Sequence, residues 1–359
     1  MRPPRPAALA AGVLLGVAAA TSAAFAANKP APRPPASGAR VLAAGVECGT
    51  WGGMQEVGPS GYGDTTVDEI SGVAESHQTP GVLWMILDNG NMPWLYAMGP
   101  DGASLGRYRL PAVDANGHPV ENIDWEDISV QTMRDGRQFV WIADTGTIPV
   151  ARTTVDVYRV REPLVDPAQP PVDRNLASWA VNRYYLGYPA GEQVRNGEAM
   201  FVDPPTGNVF VVSKKLLAGS DLVPVWRAKR TDLSTDPTQP TTLSKVAEIT
   251  GRLTTTNAYG PTAADITSNG NWIAMKHLDE VMMWPRSATV VRSFRSSPTA
   301  PCNTSIAGSV PTADVGESLA FDQDAAGAVM GAYSTLDSPN APNPPLHLSG
   351  CGDQVCLAP

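Results

Sequence analysis

An apolar run, a turn and a second apolar run recur five times along this chain, which restricts it to folds that bury many short hairpins on both faces. The clearest copy is Trp125-Glu126-Asp127-Ile128-Ser129-Val130, followed after a turn by Phe139-Val140-Trp141-Ile142-Ala143-Asp144. Gly197-Glu198-Ala199-Met200-Phe201-Val202 precedes a Thr206-Gly207 turn and the run 209–212. Val315-Gly316-Glu317-Ser318-Leu319-Ala320-Phe321 precedes Gly327 and the run 328–332. Weaker copies are Ile70-Ser71-Gly72-Val73-Ala74 and Ala263-Ala264-Asp265-Ile266-Thr267. In register, Gly72, Asp127, Ala199, Asp265 and Ser318 share one position, at intervals of 55, 72, 66 and 53 residues. Irregular repeats of this length, made of short strands with Gly and Pro turns, predict an all-β chain folded as a β-propeller of four-stranded blades.

Five copies are counted, and a divergent sixth has room at 41–66 or 228–258. Further strands are predicted at 94–98 and 105–110, 155–160 and 178–186, 223–228 and 243–249, and 281–284 and 289–294; no strong amphipathic helix pattern appears. After Ser318, 41 residues remain, enough for three strands ending near 346–348, so the last blade lacks one. An apolar stretch at 40–46 is expected to supply it, closing the ring with strands from both ends and removing exposed sheet edges. Residues 49–67, rich in glycine and polar groups, read as a loop. Four cysteines, Cys48, Cys302, Cys351 and Cys356, allow three pairings. Cys351 with Cys356 would close a small turn, leaving Cys48 with Cys302 as a staple across the closure. The spacing matches no paired zinc pattern.

Arg2 and Arg5 precede an apolar run at 7–20 and then Ala24-Phe25-Ala26, the pattern of a secretory signal cleaved near Ala26. The expected organisation is a signal peptide at 1–26, a Pro-rich disordered leader at 27–40 and a single propeller domain at 41–359. The mature protein is expected to be extracellular and monomeric, with no stable membrane span and with its cysteines in an oxidising compartment. Without the two signal arginines the formal charge moves from -9 to -11, which disfavours nucleic acid as a partner.

In a propeller, the start of each blade's first strand and the end of its second meet at one rim. Those positions are Glu69, Glu126 with Asp127, Glu198, Asp265 and Glu317, and then Asp88 with Asn89, Asp144, Lys214 with Lys215, Lys276 with His277, and Tyr333 with Ser334. Carboxylates crowded into a channel repel one another, and raised pKa values, backbone hydrogen bonds or a bound cation relieve the repulsion. Oxygen-rich sites suit Ca2+. Glu126, Asp127, Asp144, Glu198, Asp265 and Glu317 are therefore the candidate metal ligands, and Glu126, Asp127, Asp144 and Glu198 the candidate catalytic groups. Lys214, Lys276 and His277 suit an anionic ligand, Asp88 a polar one, and Trp125, with Trp51, a stacking face. Against this stands the plainer possibility that these acids accept hydrogen bonds from neighbouring backbone amides and do nothing else.

Three stretches carry a resemblance: Asn122-Ile123-Asp124-Trp125-Glu126-Asp127-Ile128, Ile142-Ala143-Asp144-Thr145-Gly146, and Val157-Tyr158-Arg159-Val160-Arg161-Glu162-Pro163. Together with Gly197-Glu198-Ala199-Met200, Val211-Val212-Ser213-Lys214, Ala264-Asp265-Ile266 and Gly316-Glu317-Ser318-Leu319-Ala320, they resemble a group of secreted bacterial proteins with phytase-like or esterase-like propeller domains. The resemblance covers roughly 65–335 and implies the propeller fold. Where the group's second-blade hairpin usually reads Gly-Asp-Ile-Gly-Asp-Asn, this chain has Ala143-Asp144-Thr145-Gly146-Thr147-Ile148, lacking one acid and the asparagine. The last blade has Ala332-Tyr333-Ser334-Thr335 in place of a terminal Ser-Glu. Both departures thin the rim of ligands.

Three functions compete. The favoured one is a ligand- or partner-binding protein, stabilised by calcium, whose top face takes a small anionic ligand or a cell-envelope partner. The second is a calcium-dependent phosphoric or carboxylic ester hydrolase, and the third a scaffold with no small-molecule site. No nucleophile motif or phosphate loop is present.

Overall fold

The computed structural model describes residues 48–52, 55–59, 67, 69–147, 152–217, 219–253, 258–277, 280–305, 316–335, 345–351 and 355–358. The signal, the leader and the stretch 40–46 lie outside the described residues. Five antiparallel sheets form the blades of a ring. Blade 1 holds Ile70–Glu75, Leu83–Leu87, Trp94–Met98 and Ser104–Arg109, and blade 2 holds Trp125–Thr132, Gln138–Asp144, Thr154–Arg161 and Val181–Gly187. Blade 3 is Gly197–Val202, Val209–Ser213, Leu222–Ala228 and Ser244–Thr250, and blade 4 is Ala263–Ile266, Trp272–His277, Glu280–Pro285 and Cys302–Ser305. Blade 5 runs Ala320–Gln323, Val329–Thr335 and Pro345–Gly350, and its outermost strand is the N-terminal Gln55–Pro59.

The continuous apolar runs follow from the packing. Side chains alternate across a strand, and here both faces of every blade are covered by a neighbour. In blade 2, Val140 and Ile142 pack with Trp84 and Ile86 of blade 1, whereas Trp141 and Ala143 pack with Met200 and Val211 of blade 3. The same division repeats, so one hydrophobic core sits between each pair of neighbouring blades and the fifth, with Ile70, Val73, Ala320 and Tyr333, joins blade 5 back to blade 1. Neighbouring blades also approach closely at Gly72, on the innermost strand of blade 1. A Cβ at Gly72 would lie 2.9 Å from Ile128 Cγ2 and 3.0 Å from its backbone nitrogen, so a side chain there would part blades 1 and 2.

The closing strand differs from the expectation: it is Gln55–Pro59, inside the stretch read as a loop. It pairs antiparallel with Pro345–Gly350 at the sheet edge. Gln55 and Glu56 are exposed, so its ladder needs backbone amides and no apolar alternation, and periodicity carries no trace of it. Cys48 bonds to Cys302 and Cys351 to Cys356, with Cα separations of 5.6 and 5.5 Å.

The strand predicted at 289–294 is instead an α-helix, Val290–Ser296. Thr289 caps it by accepting from the Arg292 amide at 3.1 Å, and the buried residues Val290, Ser293 and Phe294 fall at helical spacing. The fourth strand of that blade is Cys302–Ser305. No sixth blade forms among the described residues. The region 228–258 supplies the outer strand of blade 3 and a two-residue strand, Thr241–Thr242, which adds in parallel to blade 2. Val172–Asn175 adds to blade 1 in the same way.

Candidate functional site

In blades 1 to 3 the innermost strand carries a bulge at the same place. Register shifts between Ile70 and Gly72, between Trp125 and Asp127, and between Gly197 and Ala199, leaving Ser71, Glu126 and Glu198 as the extra residues. A bulge bends its strand and re-aims the extra side chain. Glu126 and Glu198 are thereby brought together with Glu317, which lies just before the innermost strand of blade 5. One carboxylate oxygen of each lies within 4.8 Å of the others, and the three residues are 5%, 3% and 7% exposed.

The partners of these acids are unequal. Lys214, at the end of the second strand of blade 3, sets its ammonium 2.9 Å from Glu198 Oε2 and 2.9 Å from Glu317 Oε1. Asn196 Nδ2 donates to Glu198 Oε1, and Asn196 Oδ1 in turn accepts from the Thr147 amide at 2.7 Å. No donor reaches the Glu126 carboxylate among the described residues. Gly146 backs onto it, and a Cβ there would collide with the carboxylates of Asp124 and Glu126. Burial and the neighbouring charges of Glu198, Asp88, Asp124 and Glu317 hold Glu126 well above the usual carboxylate range. Burial, then Glu317, pushes Glu198 up to about 8, and burial lifts Asp88 to about 6. Asp124 and Asn196, missed by sequence reading, have a visible signature: Asp124-x-Glu126 and Asn196-x-Glu198 repeat the same spacing in adjacent blades.

Three other candidate acids stand apart. Asp127 is fully buried, and its carboxylate accepts from the amides of Ile128 at 2.8 Å, Met200 at 2.7 Å and Ala264 at 2.9 Å, joining blades 2, 3 and 4. Burial pushes its carboxyl up while these donors pull it down. Asp265 accepts from Ile266 at 2.7 Å and from Phe321 of blade 5 at 2.8 Å. Asp144 is ion-paired with Arg152, which also holds Asp156 at 2.6 Å, and Arg183 completes that buried network at 2.8 Å from Asp156.

Among the ligand candidates, Lys276 is buried and its ammonium donates to the Gly316 carbonyl beside Glu317, and His277 is buried opposite Glu280 in register. Trp125 is corrected: it is fully buried in the core between blades 1 and 2, with Nε1 donating to the Glu121 carbonyl at 3.1 Å, so no stacking face is presented. Its ring is needed there to fill the space against Tyr158. Asp324, from the Asp322-Gln323-Asp324 segment, accepts from the amides of Ala326 and Ala328, which is hairpin-turn bonding.

The arrangement has a pH signature. Glu198 and Asp88, with Asp144 at about 6 and Asp265 at about 7, keep protons in the folded state that the unfolded chain releases nearer 4. Such groups make the folded state lose stability as pH rises from the unfolded to the folded value. Lys214, which burial pushes down and Glu198 and Glu317 raise above its usual value, adds no slope below pH 10. In chelator the stability is therefore expected to fall from pH 5 to pH 8 by an amount on the order of a few kcal/mol, read as a falling melting temperature in a thermal-denaturation series. A flat profile would show that the acids ionise freely.

No known family's profile matches this chain, and no curated protein sequence does. Among solved structures it is similar to Kuenenia stuttgartiensis Hydrazine Synthase, with 10% identity and a TM-score of 0.34, covering 78% of this chain and 59% of that one. The chain thus spans less than two thirds of that chain's length, and a likeness at this level carries no argument about its chemistry.

Proposed function

We propose that this chain is an exported propeller whose axial well takes a divalent cation, calcium being the expected ion, and thereby holds an anionic ligand or envelope group at its top face. One observation carries the reading: Glu126, 5% exposed and without a donor among the described residues, has its carboxylate within 4.8 Å of those of Glu198 and Glu317. Calcium binds oxygens at about 2.3–2.6 Å, so ligands of one ion lie within about 5 Å of each other, and a buried anion without a partner is costly. Asp127, Asp265 and Asp144 have structural partners and serve the ring. Export is supported by the basic and apolar N-terminal pattern and by two disulfides. The secreted phytase-like and esterase-like propellers remain the family expected from the sequence resemblance.

Calcium at millimolar concentration is expected to raise the melting temperature of the chelator-treated protein by several degrees, and more as pH rises towards 8 and the acids of the well release protons more readily to the ion. Glu126→Gln is expected to remove most of that gain while leaving the protein folded. Equal melting temperatures with calcium and with chelator would favour the scaffold reading. Calcium-dependent phosphate release from phytate or an aryl phosphate, lost in Glu126→Gln, would replace binding with hydrolysis.

A further inference from the structure

Lys214 stands where a cation would. Its ammonium lies 2.9 Å from an oxygen of Glu198 and 2.9 Å from an oxygen of Glu317, two of the three acids of the well. A divalent ion bridging those acids competes with the ammonium for the same two carboxylates, and the two positive charges repel each other. The exposure differs sharply: the Lys214 side chain is 27% exposed, against 4% for that of Glu198 and 10% for that of Glu317. The lysine thus enters from the solvent side and has a way out, whereas the carboxylates do not. The other cation close by, Lys276, is 1% exposed and is held by the Gly316 carbonyl, so it stays in place. Glu126 is left without an ammonium partner because one lysine satisfies only two of three acids.

We infer that Lys214 is a tethered placeholder: its ammonium takes the place of an ion between Glu198 and Glu317, and an entering divalent cation displaces it to the mouth. The inference rests on the cation reading above. Two consequences follow from charge alone. The lysine weakens cation binding, because the ion must break two partly buried ion pairs, and it offsets the mutual repulsion of the acids when no ion is present. Once released, the ammonium lies at the mouth beside the metal, where it presents a positive charge to an anionic ligand only in the loaded state. Binding of the cation and of the anion are thereby linked in order.

The test uses the whole exported protein. Calcium affinity is measured by isothermal titration for wild type and Lys214→Met, and the acylation rate of Lys214 by a water-soluble active ester is followed by mass spectrometry, with exposed Lys215 as internal reference. The inference expects faster Lys214 acylation on adding calcium to wild type, and affinity at least about tenfold tighter in Lys214→Met, equivalent to about 1.4 kcal/mol. Calcium binding to wild type with unchanged Lys214 acylation and unchanged affinity in the variant would overturn the placeholder and leave the cation reading standing. No calcium binding by either protein at millimolar concentration would overturn the cation reading and the exchange with it. The acylation arm needs no substitution, so misfolding of the variant does not blunt it.

Discussion

Asp127→Ala is expected to abolish or nearly abolish folding. The substitution strands the amides of Ile128, Met200 and Ala264, which donate to its two oxygens at 2.7–2.9 Å in a site with no exposure. Each buried amide left without an acceptor costs about 1–3 kcal/mol, and the sum rivals the roughly 5–15 kcal/mol of a whole domain. Two of the three donors belong to other blades, so the loss falls on the ring as a unit. Asp127→Asn keeps one oxygen and turns the other into a donor. With that oxygen left for the two amides of Met200 and Ala264, the new NH2 faces the Ile128 amide, so an intermediate loss of about 2 kcal/mol is expected. Glu126→Gln has no such amides to strand and is expected to be neutral in chelator. Urea denaturation of the three variants at pH 7 checks the order; wild-type stability in Asp127→Ala would sink the account of Asp127 as the clasp of three blades.

Cys48→Ser with Cys302→Ser is expected to cost about 2–5 kcal/mol and to loosen the N-terminal closing strand. The bond spans a sequence separation of 254, against 5 for Cys351 with Cys356. In the chain-entropy view the longer loop stabilises more, so the short bridge is expected to contribute about 2 kcal/mol. The long bridge also acts on the native ring: it anchors the chain seven residues before Gln55–Pro59, an edge strand held mainly by backbone bonds, to the outer strand of blade 4. Melting temperature and limited proteolysis near residue 55 are the measurements. A drop no larger than that of the Cys351→Ser, Cys356→Ser protein would show that the closure does not depend on the staple.

The repeated acids are the part of the site that was legible beforehand. Glu126, Glu198 and Glu317 occur at corresponding places in three copies, and propeller geometry alone brings such places to one rim. Which acids share a site and which bind the backbone was not legible, because the difference is a single position. Glu126 and Asp127 are neighbours in sequence, yet the bulge sends one to the well and leaves the other against the amides of blades 3 and 4. Trp125, equally close, turns into the core. A strand alternates its side chains, and a bulge breaks that alternation at the place where prediction needs it.

From its own residues the sequence determined the all-β class, five inner hairpins and their two-faced apolar strands, because burial on both sides demands unbroken apolar runs and each run is local. It also determined that the ring must borrow a strand from the N-terminal side. Which segment that would be, Gln55–Pro59 in place of 40–46, was decided by the tertiary structure, since an edge strand is selected by a free row of backbone groups on Pro345–Gly350 and needs no side-chain pattern. The helix Val290–Ser296 was settled in the same way: a β-branched pair suits a strand, yet it is from a helical turn that Phe294 packs against Trp284 and Phe201. Short segments hold too little local preference to outweigh a packing site that the rest of the chain has already shaped.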